Sequence, residues 1–184
     1  MFTTFRGGQS GGWTVTSIAR VKGETLPKVA ALSVIASETL ALPLLLSETS
    51  WRLAGVKSHL RYTEKTEKDR LTAVQAGLGR SEAIHAALIP IRKSAGWWEL
   101  SQDERRRIFE DSSHHIAATV KYLPAIARQL FHARDLEMPF DFLTWFEFAP
   151  EHVSLFDELV GMLRATEEWT YVEREVDVRV VREG

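Results

Sequence analysis

The stretch Phe140-Asp141-Phe142-Leu143-Thr144-Trp145-Phe146-Glu147-Phe148 runs directly into Pro150 and an apolar series at Val153, Phe156, Leu159, Val160 and Leu163. The first part alternates with a period of two, placing Phe140, Phe142, Thr144, Phe146 and Phe148 on one face of a strand. The second recurs every three to four residues, the period of a helix, and Pro150 suits its first turn. Further on, Tyr171, Glu173, Glu175, Asp177 and Arg179 alternate with Val172, Arg174, Val176, Val178 and Val180, which predicts another strand.

Upstream, His85 to Ile91 is a short apolar run suited to a strand, with Pro90 near its end. Ser101-Gln102-Asp103-Glu104 has the capping-box spacing, so a helix should open there, pass Phe109 and reach about Tyr122, where Pro124 stops it. Ala125 to Arg134 is compatible with a strand, and Leu136 to Pro139 with a turn. The order from His85 onward is β-α-β-β-α-β. This is the ferredoxin-like arrangement, an α+β fold with an antiparallel sheet and helices on its outer face.

The N-terminal part reads as a shortened copy of the same unit, although no repeat is visible in the residues. Gly7 to Gly12 is expected to be a flexible loop, Trp13 to Val21 a strand, and residues 24–50 a short helix and a loop. Leu53 to Tyr62 reads as a strand, a helix follows Thr63 to about Val74, and Gly77 and Gly79 mark a turn. The expected organisation is a shortened unit over 1–84 and a second over 85–184, joined in one compact domain.

The 184 residues carry 23 Lys+Arg against 25 Asp+Glu, a net charge of -2, which supplies no global field for nucleic acid or anionic lipid. With 45% hydrophobic and 26% charged residues the chain is ordinary globular material rather than a disordered one. Zero cysteine excludes disulfides, a thiolate nucleophile, iron–sulfur clusters and covalent c-type haem attachment. The longest apolar run, Leu40 to Leu46, contains Pro43 and is far short of the roughly 20 residues of a membrane span. No signal-like segment is seen, and a cytoplasmic protein is the expectation.

Four groups of residues invite chemistry. Adjacent His114 and His115 lie in the long helical stretch, about 100° apart around its axis, so they cannot share one metal comfortably. Arg128 lies in a strand among small apolar neighbours; such an arginine either reaches the surface or points a fixed positive charge into a cavity, and propensity alone favours the surface. Trp97-Trp98 suits a core or an interface, with Lys93 solvated nearby. Glu167 and Glu168 fall at the end of the last helix, where acids oppose the dipole unless Arg164 pairs with them.

Jointly these segments resemble the chlorite dismutase family. The resemblance rests on Ala87-Leu88-Ile89-Pro90-Ile91-Arg92-Lys93-Ser94, Trp97-Trp98, Arg105-Arg106-Arg107-Ile108-Phe109-Glu110 and Ser113-His114-His115-Ile116. It continues through Lys121-Tyr122-Leu123-Pro124, the aromatic strand and Tyr171-Val172-Glu173-Arg174-Glu175, and reaches upstream to Arg61-Tyr62-Thr63 and Val74-Gln75-Ala76-Gly77. The short length resembles the family's small dimeric subgroup. The resemblance implies a ferredoxin-like dimeric α+β barrel with a truncated N-terminal unit, working as a homodimer with one non-covalent haem b per subunit.

It also implies His115 as the iron ligand, Arg128 and Gln75 on the distal side, Tyr62 and Lys93 on the haem propionates, and Trp97 near the haem edge. A glutamate would accept the Nδ1 proton of His115, with Glu168 preferred and Glu167 its rival. The implied reaction converts chlorite to chloride and dioxygen through a high-valent iron-oxo intermediate and a retained hypochlorite, with no nucleic-acid or membrane partner. Other readings of the same resemblance are a coproheme decarboxylase-like or peroxidase-like haem protein, or a non-enzymatic barrel module.

Overall fold

The computed structural model describes residues 1–40, 49–57, 76–112 and 119–182. Eight antiparallel strands close into a barrel: β1 (Phe2–Gly8), β2 (Trp13–Lys22), β3 (Ala31–Ser37), β4 (Thr49–Lys57), β5 (His85–Lys93), β6 (Ala127–His132), β7 (Phe142–Phe148) and β8 (Val172–Val181). Around the barrel the order is β1-β3-β2-β8-β5-β7-β6-β4.

That order contains the same permutation twice. Within the later four strands it runs β8-β5-β7-β6, and within the earlier four it runs β4-β1-β3-β2. In each set the sequence is fourth, first, third, second, the ferredoxin-like order. The two sets join where β2 pairs with β8 and β4 pairs with β6. The repeat that no residue pattern displays is therefore present in the topology.

The first set does without a helix between β1 and β2. Gly8 and Thr14 both stand opposite Ala31, one on each edge of β3. Strand β2 thus starts level with the end of β1 and continues onward, so residues 9–12 need only step across β3. At this crossing a Cβ on Gly11 would lie 2.5 Å from the backbone carbon and oxygen of Leu32, a space that only glycine fits. The sequence reading placed all of Gly7 to Gly12 in a loop. Gly7 and Gly8 instead finish β1, with the ring of Trp51 seated against Gly7.

Two further expectations are corrected. Within 24–50, residues 31–37 form a strand, β3, that the sequence did not suggest, with Val34 and Ile35 paired to Phe5 and Thr4 of β1, while residues 41–48 lie outside the described residues. The expected strand from Leu53 begins earlier, at Thr49, and ends at Lys57, while residues 58–62 and the helix expected over 63–74 lie outside the described residues.

After β5 come two short helices, α1 (Ala95–Glu99) and α2 (Gln102–Arg106). The capping box is present: the Ser101 backbone N–H donates to Glu104 Oε2 at 2.8 Å. The helix then widens to a π-helical turn over Arg107–Ser112, and a 3₁₀ turn at Val120–Tyr122 precedes the proline stop. Helix α3 (Val153–Arg164) buries Phe156, Leu159, Val160 and Leu163 against Ala87, Ile89, Ile91, Phe146 and Phe148 on the outer face of the sheet. Each of those side chains contributes roughly 1.5–3 kcal/mol.

The barrel interior holds Phe5, Trp13, Leu53, Leu88, Leu143, Trp145, Val176, Val178 and Val180. Strand β7 is therefore buried on its inner face and, at Phe146 and Phe148, on its outer face as well. Its aromatic stripe divides: Phe146 and Phe148 face α3, whereas Phe140, just before the strand, joins Leu143 and Trp145 inside. Among the described residues, no helix is long and apolar enough to cross a membrane.

Candidate active site

The outer face of the later sheet is laid out in rows by its pairing. One row is Arg128, Phe146, Ala87 and Arg179; the next is Leu130, Thr144 and Ile89; the third is His132, Phe142, Ile91 and Glu175. Helix α3 covers the β5–β8 side of these rows. On the β6–β7 side Arg128, Leu130, His132, Phe142 and Thr144 remain half-buried. They form a partly open shelf that is apolar in the middle and carries Arg128 at one end. Desolvation there draws the Arg128 guanidinium below its ordinary pKa range. The arginine that propensity would send to the surface is thus half-buried on the outer face of the sheet.

Lys93 lies one step beyond the third row on the same face, about 20 Å along the strand from Ala87 in Arg128's row. A register shift between Arg92 and Lys93 marks a bulge at this point. The backbone N–H of Lys93 donates to Asp141 Oδ2 at 2.7 Å. Its ammonium donates to Glu168 Oε1 at 2.8 Å, with the two side chains only 3% and 8% exposed. The ammonium also sits 4.5 Å from the Trp97 ring centroid and 5.5 Å from that of Trp169. The solvated lysine expected beside Trp97-Trp98 is instead buried in an aromatic and anionic cage.

Glu167 and Glu168 do not end the last long helix. Helix α3 stops at Arg164, and the two acids open a separate short helix, α4 (Glu167–Thr170), behind Thr166. In that first turn they complement the dipole rather than oppose it. Glu167 is exposed and Glu168 is buried. Arg164, expected to balance them, turns to β8: its Nε donates to Glu175 Oε1 at 2.8 Å and its NH2 to Asp177 Oδ2 at 3.0 Å. Burial alone would lower the Arg164 pKa, but these two carboxylates hold it above the ordinary range.

The structure thus brings Lys93, Trp97 and Glu168 together, and places Arg128 on the same sheet face at a distance. Tyr62, Gln75, His114 and His115 lie outside the described residues. Several residues were missed from sequence. Glu175, 1% exposed, and Asp177, 6% exposed, sit in an alternating strand whose polar positions looked solvent-facing. Glu147, buried inside the barrel, accepts from the Gly79 N–H at 2.5 Å and from Trp145 Nε1 at 2.9 Å, so it anchors the turn that follows Gln75. For Glu147 the signal was a carboxylate in a strand with bulky apolar residues on both faces; the alternation of β8 carried no such signal for Glu175 and Asp177.

Two ferredoxin-like sheets closed into one barrel, with Arg128 on a half-buried outer face, define an α+β barrel protein. The family model described as chlorite dismutase matches residues 27–183. The chain belongs to the chlorite dismutase family. A curated chlorite dismutase from Ideonella dechloratans is 29% identical over 103 residues, which is 55% of this chain and 35% of that protein. The chain thus matches about a third of that relative's length. The crystal structure of dimeric chlorite dismutases from Nitrobacter winogradskyi shares 64% identity, covers 98% of this chain and 99% of its own, and superposes with a TM-score of 0.91. A variant chlorite dismutase structure from Candidatus Nitrospira defluvii shares 27% identity over 73% of this chain and 56% of its own, with a TM-score of 0.61.

Proposed function

We propose that this protein is a haem b-dependent chlorite dismutase that converts chlorite to chloride and dioxygen, and that it works as a homodimer with one haem per subunit. The observation that carries the reading is the desolvated Arg128 on the half-open shelf. The shelf suits the group: Leu130, Phe142 and Thr144 offer a surface for a flat macrocycle, with the half-buried Arg128 toward one end and the buried Lys93 toward the other. The family and the relatives' names supply the substrate.

Haem, when bound, supplies the iron at which the Cl–O bond of chlorite is cleaved. His115 is its ligand in this reading, and Tyr62 binds a propionate. Trp97 packs near the edge. Lys93, whose ammonium already has Glu168 as partner, acts through that carboxylate rather than on a propionate. Glu168, held in one orientation by Lys93, would accept a hydrogen bond from the Nδ1–H of His115 and raise the basicity of the ring. Glu167, being exposed, is the poorer candidate for that task.

Arg128 supplies a positive charge in a delocalised guanidinium. In a low-dielectric pocket it would attract chlorite and hold a chlorine oxyanion close to the haem site. Gln75 orients it. The overall charge of -2 offers no long-range attraction for an anion, so the attraction is local.

The test is an oxygen electrode. Haem-loaded protein should release dioxygen rapidly on addition of chlorite, and His115→Ala should lose both the Soret band and the gas. A haem-loaded protein with an intact Soret band and no dioxygen release overturns the reading.

A further inference from the structure

A buried charged network that no catalytic role accounts for runs along β8 beneath α3 and α4. Glu175 is 1% exposed, and its two oxygens are both engaged. Oε2 accepts the indole N–H of Trp169 at 2.7 Å, and Oε1 accepts Nε–H of Arg164 at 2.8 Å. Arg164 also reaches Asp177, which accepts from Arg179, and Arg179 ends on the exposed Asp157 at 2.9 Å. Such a chain is expensive to desolvate, and its members would be replaced at little loss by apolar residues if packing were all that was required. What the network provides is orientation.

We propose that Glu175 is a positioning residue for the Lys93–Glu168 pair, acting through Trp169. Helix α4 has four residues and no stability of its own, so its placement depends on its anchors. Trp169 follows Glu168 directly. Its indole N–H is pinned by Glu175, and its ring face, with that of Trp97, brackets the Lys93 ammonium. Releasing the indole N–H frees that ring to turn, removes one wall from the ammonium and loosens the carboxylate it holds. The functional consequence rests on the reading that Glu168 supports the haem ligand; the positioning itself does not.

Glu175→Gln tests this with little change of volume. The amide has one acceptor oxygen, so its NH2 group must face either the indole N–H or the Arg164 N–H, donor against donor. In haem-free protein, the Lys93 ammonium protons are shielded by burial and their exchange can be followed by heteronuclear NMR. Glu175→Gln should speed that exchange at least about tenfold and shift the Trp169 indole resonance. Trp169→Phe, which keeps a ring but has no N–H to pin, should speed it in the same sense and serves if Glu175→Gln does not fold. Asp157→Asn, at the outer end of the network, should leave the Lys93 signal unchanged. A displaced indole resonance with unchanged Lys93 exchange overturns the proposal.

In ferrous haem-loaded protein, Glu175→Gln should lower the iron–histidine stretching frequency in the same direction as Glu168→Gln, but by less. If Glu168→Gln itself leaves that frequency unmoved, the functional reading of Glu168 fails, and the Lys93 exchange still decides the positioning role.

Discussion

The ammonium of Lys93 and the carboxylate of Glu168 meet at 2.8 Å, 75 residues apart in the chain and both nearly sealed from solvent. Neither is placed by its own secondary structure alone. Lys93 reaches the pair because β5 bulges at its end and Asp141 takes its backbone N–H. Glu168 reaches it because Thr166 breaks the chain away from α3 and starts a new turn. The contact couples the end of a strand to a four-residue helix.

Removing the cation from this pair should be costly. Lys93→Met leaves a carboxylate buried without its counter-charge, a change that costs about 3–5 kcal/mol. Urea unfolding at neutral pH should show that loss, and adding Glu168→Gln should restore part of it, because a neutral amide tolerates burial better. A Lys93→Met protein as stable as the parent would mean that the two groups do not interact in solution.

Arg128 should behave in the opposite way. Burial depresses its pKa below the unfolded value, so the charged form is penalised in the folded state at neutral pH and throughout the range below it. Arg128→Leu should therefore cost the haem-free protein little or no stability. The same variant should keep haem yet lose most chlorite turnover and bleach sooner, as hypochlorite escapes. Thermal unfolding of the haem-free protein and the oxygen trace measure the two effects. A marked fall in Tm would show that the partners of the guanidinium outweigh its desolvation.

The crossing between β1 and β2 admits a paired test. Gly11→Ala drives a methyl group to 2.5 Å from the Leu32 backbone, which cannot swing aside as a side chain would. It should destabilise by about 1–3 kcal/mol. Gly12→Ala meets nothing within 4 Å and should be close to neutral. Equal denaturant midpoints for the two variants would contradict the close crossing.

If the protein is a homodimer, light scattering should give twice the chain mass of 20.9 kDa. A monomer mass at micromolar concentration would remove the dimer from the proposal.

Much of the later half was legible because its patterns are local. The helical spacing of Phe156, Leu159, Val160 and Leu163, the alternation of β8 and the Ser101–Glu104 box each express one element's own preference. The earlier half was harder. Strand β3 forms in a stretch rich in serine and threonine because β1 offers it a complete edge, from Phe2 opposite Ser37 to Gly8 opposite Ala31. The π-helical turn at Arg107–Ser112 left no mark in a sequence that reads as ordinary helix.

The candidate site divides along the same line. The sequence by itself determined which residue types are available: one arginine among small apolar neighbours, a lysine four residues before a tryptophan, two adjacent acids after a helix, and no thiol to compete for an oxidant. Only the tertiary structure decided between Glu167 and Glu168 as the buried acid, gave Lys93 a carboxylate for a partner, and turned Glu175 and Asp177 inward. The physical reason is closure of the barrel. Once both faces of β5, β7 and β8 are covered, a polar side chain on the outer face can no longer meet water, and each one must find its counter-charge on a neighbouring element.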